Sequence, residues 1–137
     1  MIRIASLDHL VLTVADIERT TAFYARVLGM TPQRFVSGGV ERFALVFGVQ
    51  KFNLHQIDRV IDGNVRHATP GSADICLLTD TPISEIVEHL DASGVSIIEG
   101  PARRTGAVDP LMSVYFYDPD ENLIEVSNVF KPRFEAP

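Results

Sequence analysis

The chain repeats itself, and that repeat limits its fold more tightly than anything else in its 137 residues. Residues 7–14, Leu-Asp-His-Leu-Val-Leu-Thr-Val, are apolar and β-branched and read as a strand. Asp16 then supplies a helix N-cap, because its carboxylate can accept a bond from an unpaired N–H of the first turn. Ile17, Thr20, Thr21, Tyr24, Val27 and Leu28 fall at helical spacing, and Gly29 closes the helix. The second half does the same. Residues 73–79 are strand-like, Thr81 offers the cap, and Pro82 suits the first helical position. Ile83, Ile86, Val87 and Leu90 keep the helical rhythm, and Gly94 ends it. Cap and closing glycine lie 13 residues apart in both halves, and His9 to Gly29 matches Asp74 to Gly94 at 20.

Three short β candidates follow each helix. In the first half they are 31–37, 41–47 and 51–57, with Gly38-Gly39 as a hairpin turn and Gly48 opening the next. In the second half they are 96–100, 112–117 and 123–127, with Asp118-Pro119-Asp120 as the last turn. The expected fold is therefore α+β: two tandem βαβββ modules forming a cupped mixed sheet. The expected organisation is one domain over 1–130, with module one at about 5–58, a polar connector at 59–71, module two at about 72–129, and a tail at 131–137. Module two carries extra residues, 101–111, which include Arg103, Arg104, Gly106 and Pro110. A stretch of that length without a pattern of its own reads as a lid or binding loop.

Charge removes some classes of partner. Lys plus Arg number 12 against 18 Asp plus Glu, a net charge of −6. Such a surface repels phosphate backbones and anionic lipid, so neither nucleic acid nor a membrane surface is an expected partner. Cys76 is the single cysteine, which excludes an internal disulfide and a metal site built mainly of thiolates. No apolar stretch approaches the roughly 18–20 residues that span a bilayer, and no basic segment followed by an apolar run opens the chain. A cytoplasmic location is expected. Neither a Gly-rich phosphate loop nor a Gly-x-Ser-x-Gly elbow is present.

Period-two alternation sorts the strand residues by face. If Leu10 and Leu12 face their helix, His9 faces the other way, and so do Asn53 and His55 opposite Phe52 and Leu54. In the second half, Asp74 and Cys76 oppose Ile75 and Leu77, and Glu125 and Ser127 oppose Ile124 and Val126. Two imidazoles, His9 and His55, with the carboxylates Asp74 and Glu125 are the donors of a divalent ion with an open position. A polar residue in a strand ordinarily just lies on a solvated face. Glu125 is harder to dismiss, since a carboxylate among Leu123, Ile124 and Val126 is costly unless solvated or paired. Ser113 and Tyr115 on the neighbouring strand could line the same surface, and Arg103 or Arg104 could clamp an anionic substrate group. His67 and His89 read as surface residues.

The opening Leu7-Asp8-His9-Leu10-Val11-Leu12-Thr13-Val14-Ala15-Asp16, the Phe23-Tyr24 to Leu28-Gly29 helix end, and Asp118-Pro119-Asp120-Glu121-Asn122-Leu123-Ile124-Glu125-Val126 resemble the vicinal oxygen chelate superfamily. That superfamily includes glyoxalase I, fosfomycin resistance proteins, extradiol dioxygenases and bleomycin resistance proteins, and the resemblance spans roughly 5–129. Asn53-Leu54-His55-Gln56, residues 69–74 and the Gly100 to Gly106 segment look most like its glyoxalase-domain, virulence-associated branch.

The resemblance implies a glyoxalase-like fold, a homodimer, and a small oxygen-rich substrate. It implies one divalent ion, Zn, Ni, Mn, Co or Fe, with His9 and Glu125 as the matched ligands; His55, two residues beyond Asn53 on the same face, is the expected third. Glu125 or Asp74 would be the base, and Asn53, Arg103, Arg104, Ser113 and Tyr115 would contact substrate. His9 and Glu125 match the family's first-strand histidine and last-strand glutamate. Asp74 stands where the family often has histidine, Asn53 where glyoxalase I has glutamate, and Glu121 where glycine is usual. Lyase or isomerase chemistry is the leading expectation. The alternatives are an Fe(II) extradiol-type dioxygenase and a metal-free, bleomycin-resistance-like binding protein.

Overall fold

A computed structural model describes residues 1–59 and 61–130; the tail at 131–137 lies outside the described residues. The elements run β1 (His9–Val14), α1 (Ile17–Leu28), β2 (Thr31–Ser37), β3 (Val40–Phe47), β4 (Gln50–Gln56), β5 (Asp74–Leu78), α2 (Ile83–Ala92), β6 (Glu99–Thr105), β7 (Pro110–Tyr117) and β8 (Leu123–Val129). The chain forms two compact units, the first holding residues 1–73 and the turn residues Pro119–Glu121, the second holding the rest of the described chain from Asp74. Each unit has its own four-stranded mixed sheet, ordered β1-β4-β3-β2 in unit one and β5-β8-β7-β6 in unit two. In each, the strand before the helix pairs in parallel with the last strand of its module, and the other pairings are antiparallel. The βαβββ repeat read from spacing is the repeat of the fold.

The first helix forms as its sequence dictates. Asp16 accepts a bond from the Arg19 N–H at 2.9 Å, and Gly29 turns into the left-handed region at φ 65°. Its buried stripe, Ile17, Thr20, Tyr24 and Val27, packs on a sheet face made of Leu12, Val14, Leu45, Phe52 and Leu54. Tyr24 meets Phe52 edge to face with ring centres 6.1 Å apart. In unit two, Ile86 and Leu90 of α2 lie among the buried Val114, Phe116, Ile124 and Val126. Each such side chain removed from water contributes about 1.5–3 kcal/mol. The packing faces are thus committed, and the opposite face of each sheet is left for polar residues.

Thr20 is the exception in the α1 stripe. It is fully buried, and its Oγ1 finds no hydrogen-bond partner among the described residues. A buried hydroxyl without a partner costs about 1–3 kcal/mol, and valine replaces it with nearly the same shape and helix propensity. Thr20→Val is expected to raise the unfolding free energy by about 1 kcal/mol, read as a higher midpoint in urea at unchanged slope.

Two expectations are corrected. Pro82, rather than Thr81, is the N-cap of α2, and no side chain caps it. The approach to the helix is fastened instead by Asn128, whose Nδ2 donates to the carbonyls of Thr79 and Thr81 at 2.9 and 2.8 Å. The second strand of module two is Glu99–Thr105 instead of 96–100, and β7 already begins at Pro110. The long loop at 101–111 shrinks to a turn. Its pattern was hidden because the register of β6 on β7 shifts between Glu99 and Ala102, which breaks simple alternation. The last turn takes its expected place: Asp118 accepts both the backbone N–H and the side-chain amide of Asn122, at 2.9 and 2.8 Å. Glu121 sits there at φ 65°, a conformation glycine adopts more cheaply. Among the described residues, no helix is long and apolar enough to cross a membrane.

Candidate functional site

Unit two carries a connected polar network on its open face. Cys76 lies opposite Glu125 on the β5–β8 ladder, and Tyr115 lies opposite Glu125 on the β7–β8 ladder. Glu125 is half-buried. Its Oε2 accepts from the Ser113 hydroxyl at 2.6 Å and the Ser127 hydroxyl at 3.4 Å, and the two serine oxygens are themselves 2.6 Å apart. Both serines are fully buried. A carboxylate gripped at one oxygen by two buried hydroxyls has a fixed plane, the usual support for a carboxylate that must present its other oxygen to a ligand. Asp74 is on the same face, two residues along the adjacent strand.

The two arginines part company. Neighbouring strand residues point to opposite faces, so Arg104 joins the network and Arg103 leaves it. Arg104 Nε donates to the Tyr115 hydroxyl at 3.0 Å and its guanidinium pairs with Glu99, while Arg103 stacks over the Phe130 ring at 4.7 Å. Partial burial raises the Tyr115 hydroxyl above its ordinary pKa; Arg104 opposes that shift and Glu125 reinforces it. The Tyr115 bond in turn raises the Arg104 guanidinium further. Tyr115 is a neutral donor beside a carboxylate.

Cys76 borders the same network, its Sγ 3.5 Å from the Ser127 hydroxyl. Burial pushes its thiol up, the Ser127 bond pulls it down, and the negative charge of Glu125 pushes it up again. Only the thiolate is alkylated. The rate of iodoacetamide labelling is therefore expected to rise with pH around a midpoint above the ordinary cysteine value. Glu125→Gln removes the adjacent anion and should move that midpoint down. A midpoint at or below that of a free cysteine peptide contradicts this environment.

In unit one, His9, Asn53 and His55 share the open face of the β1–β4 pair. The register sets His9 opposite Lys51, Val11 opposite Asn53 and Thr13 opposite His55. His9 and His55 are therefore four residues apart along the ladder, about 13 Å at the ordinary strand rise. Alternation placed both on one face but said nothing of distance along it. The two imidazoles stand too far apart for Zn–N-type bonds of about 2.1 Å to a common ion on that face. Each is oriented separately. His9 Nδ1 donates to the Asp8 carboxylate at 2.8 Å, and His55 Nδ1 donates to Asn64 Oδ1 at 3.2 Å. With Nδ1 donating to an oxygen, the neutral form of each ring carries its lone pair on Nε2, the tautomer a ligand or base needs.

These donors suit a divalent ion by type. Imidazole nitrogen and carboxylate oxygen are borderline and hard ligands, and both His9 and Glu125 already have the outer hydrogen bonds that hold metal ligands in place. Within neither unit, among the described residues, do three His, Cys, Asp or Glu side chains gather at one point. Ser127, Asn64, Glu99 and Arg42 were missed as site residues. Ser127 was legible, since it alternates with Glu125; the other three act through turns and register that spacing does not reveal.

Two mixed βαβββ sheets, each with a polar open face, define a glyoxalase-like protein. The chain belongs to the Glyoxalase/Bleomycin resistance protein/Dioxygenase superfamily, whose family model matches residues 6–126. It is 50% identical over 121 residues to virulence protein STM3117 of Salmonella typhimurium, covering 88% of this chain and 82% of that protein. A solved structure from the mobile metagenome of V. Pseudocholerae, VPC_CASS1, matches at 50% identity with a TM-score of 0.91, covering 96% of this chain and 99% of that one. A mutant of the fosfomycin resistance protein FosX of Listeria monocytogenes, solved with Mn(II) and dihydroxypropylphosphonic acid, shares the fold at 23% identity and a TM-score of 0.60, covering 91% and 90%.

Proposed function

We propose that the chain is a divalent-metal-dependent enzyme of this superfamily, acting on a small oxygen-rich substrate with lyase or isomerase chemistry. The observation that carries the reading is Glu125, fixed through one oxygen by the buried Ser113 and Ser127 hydroxyls. Glu125 and Asp74, on one face of unit two, are the donors assigned to the ion by position, and His9 is added on the family match of its strand alone. His55, displaced along the ladder from His9, is assigned to the substrate side. The Mn(II) bound in FosX supports an ion of this kind. A bound ion would supply Lewis acidity toward a carbonyl or other substrate oxygen. This chain's own part is proton movement at a carboxylate oxygen of Glu125 or Asp74. Arg104 and the neutral Tyr115 hydroxyl bind and orient the substrate's oxygens beside it. A homodimer belongs to the same reading and is checked by light scattering.

The test is elemental analysis of untagged protein, wild type beside His9→Ala and His55→Ala. About one tightly held ion per chain is expected, lost in His9→Ala and kept in His55→Ala. Iron would turn the reading to a dioxygenase. No ion, even after incubation with Mn, Zn, Ni, Co and Fe(II), would overturn the enzyme and leave a metal-free binding protein of the bleomycin-resistance kind.

A further inference from the structure

The geometry points to a pocket wholly within unit one as a binding site for a small 2-hydroxy carboxylate carrying an apolar group. The pocket has a volume of about 210 Å³, and its walls include Phe35, Arg42, Phe43, Asn53, His55 and Asp62. At roughly 30 Å³ each, about seven waters would fill it, which is below the ~300–1,000 Å³ of drug-sized sites. The part of an occupant that it encloses is therefore small.

Three observations select its chemistry. Asn53 Oδ1 is buried in this wall and accepts no hydrogen bond from any described residue. An orphaned buried acceptor is satisfied by a ligand that brings an O–H or N–H. Arg42 is half-buried and makes no ion pair with a described residue, so its planar fork is available to a carboxylate. Phe35, directly opposite Arg42 on the β2–β3 ladder, gives an apolar wall beside them. The donor is a hydroxyl rather than an ammonium because of the charges nearby. Lys51 Nζ stands 4.2 Å from the centre of the Phe35 ring, so Arg42 and Lys51 put two cations on this side against one exposed carboxylate, Asp62. A further cation is repelled. His55 completes the arrangement, since its Nδ1 bond to Asn64 leaves the Nε2 lone pair as a second acceptor.

Binding here deepens the enzyme reading, in which His55 lies on the substrate side, but needs no metal, so it can fail while the metal test succeeds and the reverse. The test is a titration of the full-length, ¹⁵N-labelled chain, followed by amide shifts in buffer without divalent ions. 3-Phenyllactate supplies carboxylate, hydroxyl and ring; 3-phenylpropionate lacks the hydroxyl, and 3-phenyllactamide lacks the charge. Saturable shifts at Arg42, Ala44, Asn53 and His55 are expected with phenyllactate, and roughly tenfold weaker binding with each of the other two. Arg42→Gln should abolish the difference between phenyllactate and phenyllactamide without changing the unliganded spectrum beyond its neighbours. Equal affinity for all three compounds, shifts centred elsewhere, or no saturable shift would overturn the proposal.

Discussion

Glu125→Gln is expected to lower the chain's affinity for a divalent ion by at least about 100-fold, measured by competition with a metal indicator dye, while the fold stays intact. The amide has the size and shape of the carboxylate, and its oxygen can still accept from Ser113, so the buried face around Val114, Ile124 and Val126 has no reason to repack. What is lost is the formal charge and one anionic donor. Losing an outer hydrogen bond to a metal ligand typically costs 10–100-fold in affinity, and losing the ligand's charge should cost more. Ser113→Ala provides the internal scale. It removes the 2.6 Å bond and leaves Ser127 at 3.4 Å, so it should fall within that 10–100-fold range. If Glu125→Gln binds the ion as tightly as wild type, Glu125 is no ligand and the serine pair is ordinary packing.

Gly100→Ala is expected to be the most damaging single methyl in unit two. Gly100 lies at φ 100°, where L side chains are strained, and a Cβ there would collide with the Ser113 carbonyl and come 3.1 Å from the Val114 Cα. Backbone cannot swing aside as a side-chain tip can. Strain and collision together should cost about 3–5 kcal/mol, lowering the melting temperature by roughly 10 °C or more. Gly48→Ala is the control. Gly48 also has positive φ, at 52°, but a Cβ there meets nothing within 4 Å, so only the strain of about 1 kcal/mol remains. Equal melting temperatures for the two variants would mean that β6 does not approach β7 this closely.

The architecture was legible because the repeat doubled each signal. Asp16 with Gly29 and Thr81 with Gly94 marked out both helices, although α2 proves the shorter at 10 residues against 12 and is capped at Pro82, and alternation assigned His9, Asn53, His55, Asp74 and Glu125 to the faces away from their helices. Alternation is blind to two things. It gives no position along a ladder, so His9 and His55 read as partners until the register of β1 on β4 set them four residues apart. It also fails at a bulge. Gly-Pro in the segment 99–105 reads as loop, and the strand is rescued by pairing with β7, a long-range hydrogen-bond pattern that no local propensity encodes. Arg42 escaped notice for a related reason: a charged residue in a strand is unremarkable until it is half-buried with no ion pair among the described residues.

The turn at 106–109 makes the choice of arginine on the open face a matter of strand phase, since pairing runs unbroken from Thr105 opposite Pro110 to Ala102 opposite Ser113. Arg104 faces Tyr115 and Arg103 faces Phe130 because that turn has the length it has. Inserting or deleting one residue in it would exchange the two. A lineage carrying this doublet can thus relocate a cation beside Glu125 by changing length instead of identity, which offers a short evolutionary path between ligands of different reach.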